Sequence, residues 1–323
     1  MNARIAKVAV GMALLTLLPG CVEMTQTITL NPDGRGKMKI EILVAAFDFQ
    51  MGPMPGAPGA QKPKSLHEIK KEAAANFACK TPGLTAFKDV RVKWAHDGRL
   101  HMVGIAYFDR LEDLDKKDDA PKDPFNVKPT SSFQNSFKVS LEKKGTMRIT
   151  AKNQGLQDSV KPLGQQDAPV DFAKMSDKEM DAYILKQRVE YQKAKPLFRL
   201  MFEDLKIKTV LHLPGDIVEI KGFKKDGKRT ASQSFEGDAI LAIVKKYVMM
   251  DNTEFKKLVA GKTEQDLQAL MNPLATFGEP DITVHNLGAP LFDYEKEVRE
   301  ARAAYPALRK SLGLDENVKL PGE

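Results

Sequence analysis

The sequence predicts an α+β fold: a curved antiparallel or mixed sheet built from hairpins, helices packed on it, and a helical C-terminal part. Three observations predict it. Short segments alternate apolar and polar residues between turn dipeptides such as Asp33-Gly34, Asp97-Gly98 and Asp226-Gly227. Two Ser-x-x-Glu capping boxes, Ser65–Glu68 and Ser176–Glu179, each open a stretch of helical spacing. Strand runs with interspersed helices are the pattern of α+β proteins. The 323 residues are 42% apolar and 29% charged, which suits a globular chain with room for two domains. Five His and two Cys exclude a disulfide scaffold and leave too few ligands for a zinc ribbon.

Taken in order, Val22, Met24, Ile28 and Leu30 alternate with Glu23, Thr25, Thr27 and Thr29, and Met38, Ile40 and Ile42 answer them across the Asn31–Gly36 turn. One apolar and one polar face predict a half-buried antiparallel pair. The Pro- and Gly-rich 52–63 reads as a loop, and a helix follows from Ser65 with Ile69, Ala73 and Phe77 on one face. Asp97-Gly98, taken as a two-residue turn, joins Val90-Val92-Trp94 to Val103-Ile105-Tyr107. Residues 115–130 read as a loop, and a third hairpin sets Phe133, Phe137, Val139 and Leu141 against Met147, Ile149 and Ala151. Beyond a loop at 152–175, Met180, Ile184, Tyr191, Leu197, Phe198, Met201, Phe202 and Leu205 follow helical spacing, with Pro196 expected to kink the helix or start a new one. Strands are expected at Ile207–Leu213, Ile217–Phe223 and Thr230–Phe235, then helices near 239–249, 254–260, 264–271 and 292–312, with a short strand at Ile282–His285. The expected organisation is a leader at 1–20, an α+β domain at 21–237 and a mainly helical region at 238–323.

The first 21 residues carry the sharpest signal. Arg4 and Lys7 precede an apolar run from Val8 to Leu18, which is short of the roughly 20 residues that span a bilayer but suits a signal peptide. The run ends Leu18-Pro19-Gly20-Cys21, which resembles the bacterial lipobox, with Pro19 a less usual occupant. That resemblance implies diacylglycerol transfer to the Cys21 thiol, cleavage after Gly20 and acylation of the new amino group, giving a palmitate-type membrane anchor in a bacterial cell envelope. Val22, where Asp would signal inner-membrane retention, favours the outer membrane if there are two. Removal of the leader lowers the charge by two, and acylation leaves Cys79 as the remaining thiol, expected to be buried and inert.

Further residues carry a second resemblance. An acyl-Cys leading straight into a strand, the Asp33-Gly34-Arg35-Gly36 turn, Leu211-His212-Leu213-Pro214-Gly215, Gly222, Asp226-Gly227 and Phe235-Glu236-Gly237 resemble the LppM-type bacterial envelope lipoprotein domain over roughly 21–237. The resemblance implies a curved antiparallel sheet with packed helices and a lipid-binding role. The chain departs from that pattern in having a helical tail where the family carries a transmembrane helix.

Motifs of catalysis are missing from the sequence. Gly34-Arg35-Gly36 lacks the third Gly and the helix of a phosphate loop. Ser140-Leu141-Glu142-Lys143 matches a Ser-x-x-Lys string but sits on an alternating strand, where Ser140 and Lys143 face opposite ways. Of the histidines at 67, 96, 101, 212 and 285, His96 and His101 are expected as diagonal neighbours, with Trp94 opposite His101; a metal site there would still need a third ligand. No enzyme, cofactor, metal or nucleic-acid partner is therefore expected. The lysines at 143, 144, 161, 221, 224, 225 and 228 and Arg229 read as solvated turn residues or as a headgroup-facing patch. Met51, Met54, Met249, Met250 and Met271 read as core gap-fillers before an adaptable apolar site. If an apolar ligand or lipid is bound, the candidate cavity is lined by Trp94, Ile105 and Phe137 and closed by the helix bearing Phe198 and Phe202. The alternative is a structural lipoprotein whose tail, Phe292 to Leu312, with Tyr294, Val298, Ala301, Tyr305 and Leu308 at helical spacing, docks within the chain or onto an envelope partner.

Overall fold

The first hairpin forms as the alternation requires. Strands β1 (Glu23–Leu30) and β2 (Gly36–Ala45) pair antiparallel from Glu23↔Leu43 to Leu30↔Gly36. Their apolar positions Val22, Met24, Ile28, Leu30, Met38, Ile40 and Ile42 are all buried. The computed structural model describes residues 22–45, 65–79, 83–115, 136–142, 145–152, 171–263, 266–267 and 280–323. Residues 1–21, expected to be a leader followed by Cys21, residues 52–63, expected to be a loop, Lys143-Lys144 and residues 153–170 lie outside these, as do the side chains of Cys79 and Phe198.

Helix α1 (Leu66–Cys79) starts at its capping box, where Ser65 Oγ donates to Glu68 at 2.7 Å and accepts from the Glu68 amide at 3.3 Å. Its Ile69, Ala73 and Phe77 are buried as expected. Strands β3 (Leu84–Trp94) and β4 (Arg99–Phe108) form the second hairpin. β5 (Ser136–Glu142) and β6 (Thr146–Lys152) form the third, with Phe137 buried and Leu141, further along the same strand face, exposed.

Helix α2 (Asp177–Phe202) is capped by Ser176 and Glu179 and continues through Pro196, so no new helix begins there. β7 (Lys206–His212), β8 (Asp216–Lys221), β9 (Lys224–Lys225) and β10 (Thr230–Glu236) follow, then α3 (Gly237–Val248), α4 (Asn252–Val259) and β11 (Asp281–His285). The tail is two helices, α5 (Tyr294–Ala303) and α6 (Tyr305–Leu312), where the sequence suggested one. Pro306, which cannot supply an interior helical N–H, sits in the first turn of α6.

The fold is α+β with a mixed sheet. Seven strands run in the order β3-β4-β2-β1-β7-β10-β9, and four form a second sheet, β5-β6-β11-β8. The mixed character comes from β1, which pairs antiparallel with β2 and parallel with β7, from Glu23↔Lys206 to Thr29↔His212. Contacts divide the chain into two compact units. One comprises Val22–Lys152, Lys206–Ser234 and Glu279–Glu323 and contains both sheets; the other includes Asn153–Leu205 and Phe235–Gly278. Residues 238–323, read from the sequence as one helical region, are thus shared between them. In the helical unit Phe172, Met180, Ile184, Phe255, Val259 and Leu267 form a common core.

Candidate ligand groove

The tail helices are placed by side chains of the large sheet. Tyr294, Val298 and Ala301 of α5 are buried against Ala86 and Tyr107, with Ile105 and Phe292 packed around them. Buried Asn31, the first residue of the opening turn, grips the approach to α5. Its Oδ1 accepts from the Leu291 amide at 2.9 Å and its Nδ2 donates to the Phe292 carbonyl at 3.1 Å. Lys37 Nζ lies 2.9 Å from both Glu297 oxygens, and Tyr107 Oη donates to Glu297 Oε2 at 2.8 Å. Burial, and then this bond to Glu297, push the Tyr107 phenol well above its ordinary range. Arg35 pairs with Glu295 while its guanidinium lies 4.7 Å from the Tyr294 ring centre. Of the tail's apolar positions, Tyr294, Val298, Ala301 and Tyr305 are buried within this chain, while Phe292, Leu308 and Leu312 are half-buried.

The same helices close part of a sheet edge. β3 is the outermost strand, so one row of its backbone groups has no strand to pair with. Arg302 donates to the Thr85 carbonyl from Nε at 3.1 Å and Nη2 at 2.9 Å. Tyr305 Oη accepts from the Phe87 amide at 3.0 Å and donates to the Pro321 carbonyl at 2.8 Å. Side chains thus replace the missing neighbour strand over residues 85–87. The pairing with β4 then shifts between Lys88 and Arg91, and Asp89 takes a positive φ of 55°. This is a β-bulge, a device common at sheet edges and binding sites because it re-aims the strand beyond it.

At the bulge a groove of about 540 Å³ opens between β3 and the tail. Its strand wall is Phe87 to Val92 and its helix wall includes Ala301, Ala304, Ala307, Leu308 and Leu312. Three alanines on the helix wall leave space that longer side chains would fill. The volume lies within the roughly 300–1,000 Å³ of small-molecule sites. The walls are mainly apolar, and Lys88, Arg91, Asp89, Glu300 and Ser311 supply charged and hydroxyl groups.

Of the residues expected to line a cavity, Trp94, Ile105 and Phe137 are not brought together. Trp94 pairs with Leu100 and shares the inner face with Val92 and Met102, whereas Ile105, an odd number of residues from Leu100, lies on the other face beside α5. Phe137 belongs to the small sheet, its ring 6.1 Å from that of Phe223. Phe202 is buried in the helical unit, and Phe198 has no described side chain. The physical cause of the Trp94 error is the turn. Ala95 N–H bonds to Arg99 O at 2.7 Å and Gly98 N–H to Ala95 O at 3.1 Å, enclosing three residues of which only Gly98 has positive φ. A two-residue type I′ turn needs positive φ at both central positions, so Asp97 at negative φ shifts the register by one. His96 is therefore in the turn, and His101 meets Glu41 at 2.9 Å, so no histidine pair forms. Among the described residues there is no cluster of metal ligands and no helix long and apolar enough to cross a membrane. The signal for the groove was present in Ala301, Ala304 and Ala307, small residues at three-residue steps in a largely charged tail.

Compared with known proteins, the chain matches no protein-family model and no curated protein in sequence. Among solved structures it aligns with the NMR structure of the folded domain of the Mycobacterium tuberculosis LppM protein, over 84% of this chain and 93% of that one, at 10% identity and a TM-score of 0.30.

Proposed function

We propose that this is a non-enzymatic lipoprotein of a bacterial envelope, anchored through acylated Cys21, that holds an apolar chain such as that of a lipid. The observation that carries the anchoring is the run Val8–Leu18 followed by Leu18-Pro19-Gly20-Cys21. Each acyl methylene transferred into a bilayer contributes about 0.8 kcal/mol, and two or more chains hold a protein stably. The ligand half rests on the groove between β3 and α6, whose apolar walls suit a hydrocarbon chain and whose charged residues suit a polar end.

Growing cells with an alkyne fatty acid tests the anchor: the label is expected on the wild-type protein and lost in Cys21→Ser, and a labelled Cys21→Ser would refute it. For the ligand, the chain without residues 1–20 and carrying Cys21→Ser is purified without detergent and studied by native mass spectrometry. Bound lipid is expected, and Ala307→Phe, which points bulk at the groove from an exposed helix position, is expected to remove it without lowering Tm. Lipid-free wild type, or an unchanged load in Ala307→Phe, would remove the groove from the reading.

A further inference from the structure

Helix α2 buries one side and leaves another bare. Met180, Ile184 and Tyr191 are buried. Arg188 turns toward the end of α3, donating to Val248 O at 3.2 Å and Met250 O at 2.6 Å. By contrast Leu185 is 63% and Val189 44% exposed, and Met249, whose sulfur lies 4.0 Å from Gln192 Nε2, is 50% exposed. Lys178, Ala182, Leu185, Val189, Gln192 and Pro196 recur at three- and four-residue steps and so share one stripe, in which there is no carboxylate. Residues 185–199 hold five basic side chains and one acidic, Glu190, which pairs with Lys193 at 3.3 Å. Asp181, beside the start of the stripe, pairs with Lys256 at 3.1 Å. Lys245 and Lys246 are exposed in the last turn of α3, close in sequence to Met249.

We propose that this stripe is a contact face for an anionic lipid bilayer. Leu185, Val189 and Met249 enter the headgroup region, and Lys186, Lys193, Lys245 and Lys246 pair with lipid phosphates. Apolar side chains flanked by lysines are the chemistry of an interfacial helix. A second copy of the chain fits less well, because placing stripe against stripe sets lysines against lysines. The proposal relies on the membrane-tethered reading to bring a bilayer within reach, but the binding itself needs no acyl chain.

The test uses the chain lacking residues 1–20 and carrying Cys21→Ser, which keeps every described residue, in co-sedimentation with vesicles of equal parts phosphatidylglycerol and phosphatidylcholine, and with phosphatidylcholine alone. Binding is expected to the anionic vesicles only. One lysine near such a surface is worth about fivefold in affinity, so Lys186→Glu with Lys193→Glu is expected to weaken binding about tenfold or more. Leu185→Ser with Val189→Ser is expected to weaken it as well, and Lys39→Glu with Lys208→Glu, exposed on the large sheet, to leave it unchanged. All three variants alter exposed positions, and an unchanged Tm confirms that they fold. Equal binding to both vesicle types, or full binding by the Lys186→Glu/Lys193→Glu variant, would overturn the proposal. So would a dimer in analytical ultracentrifugation that Leu185→Ser/Val189→Ser dissociates without affecting vesicle binding. Fatty-acid labelling at Cys21 reports on the tether separately, so the two readings can fail independently.

Discussion

Asp33-Gly34-Arg35 and Asp97-Gly98-Arg99 are one device used twice. In each, the Arg amide donates to the Asp Oδ1 at 3.1 Å and the Arg Nε to Oδ2 at 2.7 Å. The glycines hold φ at 87° and 81°, and the guanidinium is left to reach a more distant carboxylate, Glu295 from Arg35 and Glu23 from Arg99. Gly98 has open space where a side chain would go, so its requirement is conformational alone. Gly98→Ala is expected to cost about 1 kcal/mol through the left-handed backbone. Gly104 is the opposite case. Its Cβ would lie 2.9 Å from the Phe87 ring and 3.0 Å from that of Phe77, so Gly104→Ala is expected to cost about 1–3 kcal/mol by overpacking. Urea unfolding of the two variants should rank them in that order.

At the scale of elements, β3 and the tail helices stabilise one another through single atoms. Tyr305→Phe removes one oxygen and leaves both the Phe87 amide and the Pro321 carbonyl without that partner. An unsatisfied buried group costs about 1–3 kcal/mol, so the variant is expected to lose stability on that scale and to exchange the Phe87 amide hydrogen faster, as read by hydrogen exchange. These contacts also explain what the sequence could and could not tell. The alternation in 22–42 and the two capping boxes were legible because a strand face and a helix start are written in consecutive residues. The docking of Tyr294, Val298 and Ala301 was legible only as an apolar stripe with no stated destination. Its destination depends on Ala86 and Tyr107, about two hundred residues earlier, and on the polar grip of Asn31 and Lys37. The groove was missed for a related reason: it is lined by the bulged stretch around Asp89 and by helices about two hundred residues later, and a bulge leaves no periodic trace.

For the whole molecule, the titration of buried and paired groups sets the limits of stability with pH. Burial, ahead of their carboxylate neighbours, raises the phenols of Tyr107 and Tyr294. Their folded values exceed the unfolded value near 10, so the stability they contribute is complete below about pH 10 and is lost as pH rises beyond it. The carboxyl of Asp281 is lowered by Arg148, and that of Glu323 by Arg309 and then by the Leu320 amide. Their contribution is present above about pH 4 and lost as pH falls through the lower folded values. Thermal melts are therefore expected to be flat between about pH 5 and 9 and to fall on either side. Tyr107→Phe combined with Tyr294→Phe is expected to soften the alkaline fall but not the acid one. An alkaline fall of unchanged steepness in the double variant would assign it to other groups. The basic excess belongs to this scale too. Arg229 lies 3.5 Å from Asp216, and Lys225 donates to the Ile217 carbonyl, so part of the positive charge at the β8–β10 turns is engaged in holding those turns.

The place of β1 has a mechanical consequence. It begins two residues after Cys21 and lies inside the seven-stranded sheet, with β2 on one side and β7 on the other. A pull applied at residue 21 loads β1 along its length, so the ladders on both flanks resist together in shear instead of opening one bond at a time. Drag on the domain would then be borne by the strand with a partner on each side, and the sheet would act as the shackle that joins an anchor point to its load.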